Sequence, residues 1–134
     1  MRFINTHSFL RNQLPIYLYI LLIFTLSSIP PDSMPDTESQ LPFDKVAHFT
    51  EYGIFGILLF RFINSRNKIS TLLAVILTIV SAAFIGALDE FYQFFTGRHS
   101  DFYDWVFDCL GAATGTLVYF FYFHKRKSKP DEAV

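Results

Sequence analysis

The chain has 134 residues, of which 51% are hydrophobic and 19% aromatic, and its formal net charge is −1. A soluble domain of this size has no core large enough for so much apolar surface, so an ordinary soluble protein is excluded and lipid must cover the remainder. The small net charge says nothing about partners, because the positive and negative residues lie in different segments of the chain.

Four hydrophobic stretches predict membrane-spanning helices at about 14–29, 46–63, 69–88 and 104–123. The third has no formal charge over its whole length, and a helix of that length rises about 30 Å, which matches the hydrocarbon thickness of a bilayer. The alternation expected of a membrane β-barrel is absent. We therefore predict an all-α membrane protein, a four-helix bundle at 14–123 between an N-terminal tail at 1–13 and a basic tail at 124–134.

The distribution of charge predicts the orientation of this bundle. Nine of the eleven Lys and Arg residues lie in the N-terminal tail, at the end of the second span and in the segment that follows it, and in the C-terminal tail. Ten of the twelve carboxylates lie in or beside the other two connections. By the positive-inside rule both termini are cytoplasmic, and the proline-rich, acidic stretch at 30–42 is an external loop. The first span follows Arg2 and Arg11 like a signal peptide, but it offers no good small-residue cleavage site, so we expect it to be retained.

Two groups of polar residues interrupt the apolar pattern at the predicted external side. The first comprises Asp44, Lys45, His48, Glu51 and Tyr52, and the spacing of Asp44, His48 and Glu51 places these three on one helix face. The second group consists of Asp89, Glu90, Gln93, Arg98, Asp101, Asp104 and Asp108. Its last three carboxylates share a stripe with Gly111 and Gly115, where another helix is expected to approach closely.

Carboxylates at membrane depth cost several kcal/mol unless they are protonated, paired or hydrated, so these residues mark a candidate site. One interpretation is a structural subunit in which Lys45, His48 and Arg98 pair with the acids to hold helices together. A second is a divalent metal site drawn from His48, Glu51, Glu90, Asp101 and Asp104, which would suit a metal-dependent membrane hydrolase acting on a lipid-linked substrate. A third is non-catalytic binding of an amphiphilic ligand. The residues leave open whether the protein is an enzyme, and they give no support for nucleic-acid binding. The single cysteine, Cys109, excludes an intrachain disulfide.

The two groups resemble the VanZ-like family of bacterial membrane proteins. The family's Lys-x-x-His-Phe-x-x-Tyr element stands here as Lys45, His48, Phe49 and Tyr52, and its Asp-x-x-Asp element is Asp101 and Asp104. Its Glu-x-x-Gln-x-Phe-x-x-Gly-Arg element stands here as Glu90, Gln93, Phe95, Gly97 and Arg98, with one residue fewer before the glycine. The family usually has Asn where this chain has Asp108, ahead of the glycine stripe.

This resemblance implies a multi-pass protein of the bacterial cytoplasmic membrane, in a family whose founding member is linked to resistance to the glycopeptide teicoplanin. It leaves open whether this chain affects glycopeptide susceptibility, what its oligomeric state is, and whether it catalyses a reaction. Membrane lipids are expected partners, and a lipid-linked cell-wall precursor or a lipoglycopeptide is the expected class of ligand for an external polar site.

Overall fold

The computed structural model describes residues 6–29, 41–65, 69–98 and 100–127. Most of the predicted acidic loop at 30–42 lies outside these ranges, as do Arg2, Arg66, Lys68 and Lys129. Within them the chain is helical, and no strand occurs. The helices are α1 (Thr6–Asn12), α2 (Leu14–Ser27), α3 (Leu41–Asn64), α4 (Thr71–Thr96) and α5 (Phe102–Lys127).

The predicted spans correspond to α2, α3, α4 and α5, but two helices are longer than the apolar stretches inside them. α3 begins at Leu41, ahead of the predicted start at 46, and α4 continues to Thr96, about two turns beyond the predicted end at 88. Formal charge marks where hydrophobicity falls, yet Asp89 and Glu90 are compatible with helical backbone. What ends α4 is Gly97, which adopts a left-handed conformation (φ 76°) that other residues rarely tolerate.

Three described stretches are long and apolar enough to cross a membrane: Phe9–Ser27, Phe43–Asn64 and Thr71–Thr96. The first runs through the end of α1 into α2. α5 equals α4 in length at 26 residues, but it is less apolar because Asp104 and Asp108 lie near its start and basic residues near its end.

Successive long helices run in opposite directions. Tyr17 packs on Phe62 and Ser27 binds Asp89, so α2 lies antiparallel to α3 and parallel to α4. α5 packs chiefly against α3, and its contacts advance in the same direction along both helices, which are therefore parallel. We call the end of the molecule where α3 and α5 begin the acidic end, and the opposite end, where Arg61 donates a hydrogen bond to the carbonyl of Arg11 at 2.6 Å, the basic end.

Glycines set the distance between α3 and α5. A Cβ atom added at Gly111 would collide with the backbone carbonyl of Phe49, and one added at Gly115 would collide with that of Gly53. Gly56 faces the backbone of Ala112 in the same way. The predicted glycine stripe is thus a close backbone-to-backbone contact, as small residues form between membrane helices.

The helices place apolar side chains outside and many polar ones inside. On α5, Leu110, Val118 and Phe121 are exposed, whereas Asp108 and Thr116 are fully buried. On α4, Phe84, Phe91 and Phe94 are exposed, whereas Asp89, Glu90 and Gln93 are buried. An apolar exterior of this extent is typical of helices that face lipid.

Candidate functional site

The fold brings the two polar groups of the sequence together at the acidic end. The first turns of α3 and α5 lie side by side, and the last turns of α4 lie against both. Only the short segment 97–101 joins α4 to α5, so the end of one helix and the start of the next stay close. The helix starts also suit carboxylates, because the N-terminus of a helix carries a partial positive charge and Asp44 and Asp104 lie in first turns.

Lys45 joins α3 to α5 at the surface of this region. Its Nζ donates to Asp101 Oδ2 at 2.6 Å and also to Asp104 Oδ1. Asp101 is the residue before α5, and its Oδ1 accepts the backbone N–H of Tyr103 at 2.9 Å, so it caps the helix. The lysine therefore fixes the start of α5 against α3.

His48 and Asp108 form a second connection between the same helices, deeper in the protein. His48 Nδ1 is hydrogen-bonded to Asp108 Oδ1 at 2.9 Å, and both residues are buried. Along α5 the side chains become steadily less exposed, from 31% for Asp101 to 4% for Asp104 and 0% for Asp108. The three carboxylates thus form a polar path from the surface into the interior.

The end of α4 supplies two buried carboxylates. Glu90 Oε2 accepts from Ser100 Oγ at 3.0 Å and from the backbone N–H of Asp101 at 2.9 Å. Asp89 Oδ1 accepts from Ser27 Oγ at 2.6 Å, and its Oδ2 accepts from Gln93 Nε2 at 3.2 Å. Asp89 therefore faces α2, whereas Glu90 faces the connection to α5.

Arg98 does not bind an acid side chain through any hydrogen bond in the described structure. Its Nη1 donates to the backbone carbonyl of Leu26 at 3.0 Å, and Thr96 Oγ1 donates to that of Ser27 at 3.1 Å. Both bonds reach carbonyls at the C-terminal end of α2, and that of Leu26 also accepts the backbone N–H of Ile29 at 3.1 Å. The expected pairing of Arg98 with carboxylates is replaced by a role in docking α2.

Several buried polar atoms of this region have no hydrogen-bond partner in the described structure. They are Glu51 Oε1, Tyr52 Oη, Glu90 Oε1 and Asp108 Oδ2. We call the set Asp44, Lys45, His48, Glu51, Tyr52, Asp89, Glu90, Gln93, Arg98, Asp101, Asp104 and Asp108 the polar cluster. It holds seven carboxylates against one lysine, one arginine and one histidine. Excess negative charge and open acceptors in a buried region favour an added cation, proton or hydrogen-bond donor.

Among the described residues, two sets of three side chains lie close enough to hold a metal ion. Asp44, His48 and Asp104 form one set, and His48, Glu90 and Asp108 form the other; in each, one ligand atom per residue lies within 4.8 Å of the others. Of the five sequence candidates, His48, Glu90 and Asp104 therefore occur in such a set. Glu51 and Asp101 occur in neither set, and the structure adds Asp44 and Asp108.

Comparison with protein-family models gives a match to VanZ/LLP1 over residues 3–123, which is most of the chain. The chain belongs to the VanZ/LLP1 family. Searches of curated proteins and of solved structures give no significant match. Family membership and the apolar helices together identify a membrane protein that crosses the bilayer more than once.

Some hydrogen-bond partners of the polar cluster in this VanZ/LLP1 protein were not evident from the sequence. Ser27 and Ser100 bind the buried acids Asp89 and Glu90, and Trp105 Nε1 donates to the carbonyl of Ala83 at 2.9 Å, tying α5 to α4. Two adjacent serines at the end of the first apolar stretch were a weak signal. Nothing in the sequence pattern indicates that Gly86 faces Asp108, although a Cβ atom there would lie 3.1 Å from Asp108 Oδ2.

Proposed function

We propose that this VanZ/LLP1 protein receives an amphiphilic molecule of the bacterial cell envelope at the polar cluster and binds or modifies it. The observation that carries the proposal is the decreasing exposure from Asp101 through Asp104 to Asp108, with unpartnered acceptors at the inner end. A polar path that leads into a bundle with an apolar exterior is suited to a molecule with a polar head and an apolar tail.

The proposal includes four spans, α2 to α5, with both termini in the cytoplasm and the acidic end outside. α5 is included because its exposed face is apolar while its polar residues face inward, as in a helix surrounded by lipid. The orientation rests on Arg11 and Arg61 at the basic end and on the carboxylates at the other. The membrane would be the cytoplasmic membrane, as the positive-inside pattern requires.

Exposed aromatic rings surround the acidic end. Phe43, Phe94, Phe95, Phe102 and Tyr103 are each more than 60% exposed. Aromatic side chains concentrate at the level of lipid headgroups, so the polar cluster would lie near the external interface of the bilayer. The head of an amphiphile would then reach the cluster while its tail stays among lipids.

The free acceptors define the chemistry of the ligand. Glu51 Oε1 needs a donor, which a sugar hydroxyl or an amine provides. Lys45 is already engaged by two carboxylates, so it contributes little to recognition of an anionic group. A lipid-linked cell-wall precursor and a lipoglycopeptide both carry hydroxyl and amine groups beside an apolar chain, and recognition of either would connect the protein to glycopeptide susceptibility.

Binding can be measured through Trp105, the only tryptophan of the chain, which lies on α5 between Asp104 and Asp108. Teicoplanin and a lipid-linked precursor would be titrated into nanodiscs that contain the protein. We expect a saturable change in fluorescence that is lost in Glu51→Gln and retained in the matched control Arg61→Gln at the basic end. Equal responses in both variants would indicate partitioning into the lipid and would contradict the proposal.

Orientation has its own test, with single cysteines in a Cys109→Ala background. Tyr103 and Ser65 are both exposed and lie at opposite ends of the molecule. An impermeant thiol reagent added to intact cells should label Tyr103→Cys and leave Ser65→Cys unlabelled until the membrane is permeabilised. The reverse pattern would overturn the external placement of the cluster.

The alternative to ligand binding is a structural subunit, in which the polar cluster only holds helices together. If the polar cluster only pairs helices, His48→Ala and Arg98→Ala should reduce any cellular phenotype in proportion to protein abundance. A ligand site predicts that Glu51→Gln loses the phenotype at normal abundance, because Glu51 Oε1 bonds to nothing within the described protein.

A metal-dependent membrane hydrolase is the second candidate function, and the two sets of His and carboxylate ligands favour it. A metal ion near a lipid phosphate could polarise the phosphoryl group or lower the energy of deprotonating water. The test is release of the headgroup from a lipid-linked substrate by metal-loaded protein. Release that is lost in folded Glu90→Gln protein supports the hydrolase, and binding without release supports the first proposal.

A further inference from the structure

We infer that His48, Glu90 and Asp108 bind one divalent first-row transition-metal ion, Mn²⁺ or Zn²⁺, in the interior of the acidic end. The three residues come from α3, α4 and α5, so three helices hold the ligands from different sides. The inference does not require the envelope ligand, and it specifies the ion on which a hydrolytic function would depend.

The distances are within reach of a coordination site. One ligand atom from each residue lies within 4.8 Å of the other two. In a tetrahedral site with bonds of about 2.1 Å, neighbouring ligand atoms lie about 3.4 Å apart. Rotations of the side chains that move each ligand atom by an ångström or less would complete the site without moving the helices.

A second observation points to a ligand at this place. Glu90 and Asp108 are 7% and 0% exposed, and Glu90 Oε1 and Asp108 Oδ2 have no hydrogen-bond partner in the described structure. An unsatisfied buried carboxylate oxygen is costly. The opposite oxygen of Glu90, Oε2, is held in place by Ser100 and by the backbone of Asp101, which lie outside the set, whereas Asp108 Oδ1 is hydrogen-bonded to His48, another member of the set. Each carboxylate retains one open oxygen, and Glu90 is oriented by neighbouring hydrogen bonds, as expected of a metal ligand.

Charge distinguishes this set from the alternative set of Asp44, His48 and Asp104. Asp104 already accepts a hydrogen bond from the ammonium of Lys45, and Asp44 is only half-buried. Glu90 and Asp108 have no lysine or arginine bonded to them in the described structure. Two carboxylates and a neutral imidazole carry two negative charges, which one divalent ion neutralises.

The ligand types narrow the choice of ion. Ca²⁺ and Mg²⁺ prefer sites made of oxygen alone, whereas an imidazole nitrogen favours first-row transition metals and zinc. One imidazole with two carboxylates is compatible with Mn²⁺ and Zn²⁺. The single thiol, Cys109, belongs to neither set of ligands.

The experiment uses the full chain, purified in detergent and freed of metal with a chelator that is then removed. Mn²⁺ binding is followed by loss of the free-ion electron paramagnetic resonance signal, and Zn²⁺ binding by equilibrium dialysis with elemental analysis. We expect one ion per chain, with affinity at least about tenfold lower in Glu90→Gln and in Asp108→Asn. Both substitutions keep the shape of the side chain while removing its charge.

Two control variants locate the ion. Asp44→Asn removes a carboxylate from the alternative set, and Glu51→Gln removes one from α3 that belongs to neither set; both should bind metal as the unmodified chain does. Circular dichroism and a single elution peak establish that each variant is folded, and Glu90→Gln decides the matter if Asp108→Asn does not fold.

Absence of saturable binding would overturn the inference, as would unchanged affinity in Glu90→Gln. Loss in Asp44→Asn without loss in Glu90→Gln would also overturn it, because the ion would then lie in the alternative set. No envelope ligand is present in this assay, and no added metal is needed in the Trp105 titration, so failure of either proposal leaves the other standing.

Discussion

At the basic end, the interior between α3, α4 and α5 is filled by Phe60, Ala74 and Val75, with Tyr119 and Phe120 packed edge-on against Phe60 at ring-centroid distances of 5.9 and 6.5 Å. At the acidic end, the same three helices enclose His48, Glu90 and Asp108. Both layers are buried, but only the first is stabilised by the contacts that membrane helices ordinarily make. A buried carboxylate costs free energy that packing does not recover, so the acidic end depends on its hydrogen bonds and ion pairs, whereas the basic end depends on apolar contacts; the proposed function would explain why the costly groups are present.

The largest effect that bears on this contrast is expected from His48→Ala. Without the imidazole, Asp108 stays fully buried and loses its partner at 2.9 Å, and breaking a buried pair by removing one member costs about 3–5 kcal/mol. The free energy of unfolding, measured by titration with dodecyl sulfate in mixed micelles, should fall by that amount. In an Asp108→Asn background the same substitution should cost at least about 1 kcal/mol less, because no buried charge is left unpaired. Equal costs in both backgrounds would show that the two residues are not coupled.

Between the two ends, the contact of α3 with α5 depends on glycine, and Gly115→Ala tests it. The added Cβ would collide with the backbone carbonyl of Gly53, which cannot move without separating the helices. We expect a loss of about 2–3 kcal/mol in the same titration. Gly53→Ala is the matched control, since its Cβ would lie at an ordinary 3.6 Å from the carbonyl oxygen of Gly111. That variant should be neutral or slightly stabilised because alanine favours helix. A similar loss in both would mean that the contact is not the cause.

Ser27→Ala probes how the acidic end holds α2. Ser27 Oγ donates to the buried Asp89 at 2.6 Å, and a hydrogen bond to a charged group is worth about 1.5–3 kcal/mol. Because Gln93 still bonds to Asp89, we expect a loss at the lower end of that range. Ser28→Ala is the control: its bond to Tyr92 is exposed, so the loss should be under about 0.5 kcal/mol. Indistinguishable losses would contradict a specific role for Asp89 in docking α2.

Much of this organisation could be predicted from the sequence. Apolar length indicated the four long helices, the spacing of Gly111 and Gly115 indicated a close helix contact, and the Lys45–His48 and Glu90–Asp108 segments indicated one polar site. The long helices and the close glycine contact are found in the structure, and the two polar segments lie together at the acidic end, whereas a function for them stays a prediction. The predicted end of the third span at 88 lies about two turns before the end of α4. The prediction treated Asp89 as a boundary, whereas backbone geometry at Gly97 determines where the helix ends.

The partners of individual side chains could not be predicted. Arg98 bonds to the carbonyl of Leu26, and no sequence pattern indicates which backbone carbonyl of another helix a side chain will reach. Glu51 lies one turn from His48 on the same helix but belongs to neither candidate metal set, whereas Asp108 belongs to one of them. That difference depends on how far α3 is rotated about its axis against α5, which the close glycine contacts determine in three dimensions.

The smallest predicted effect has the opposite sign and comes from a buried polar atom outside the polar cluster. Thr116 is fully buried on α5, and its Oγ1 has no hydrogen-bond partner in the described structure. Unlike Glu90 and Asp108, it belongs to neither candidate metal set. If unpartnered atoms serve function only at the acidic end, Thr116→Val should raise the free energy of unfolding by about 0.5–1 kcal/mol, since an isosteric methyl group replaces an unsatisfied hydroxyl. Metal binding and the Trp105 response should not change. A Thr116→Val protein that is less stable, or that has lost either response, would show that a polar group outside the polar cluster also matters. It would contradict the proposed difference between the two ends.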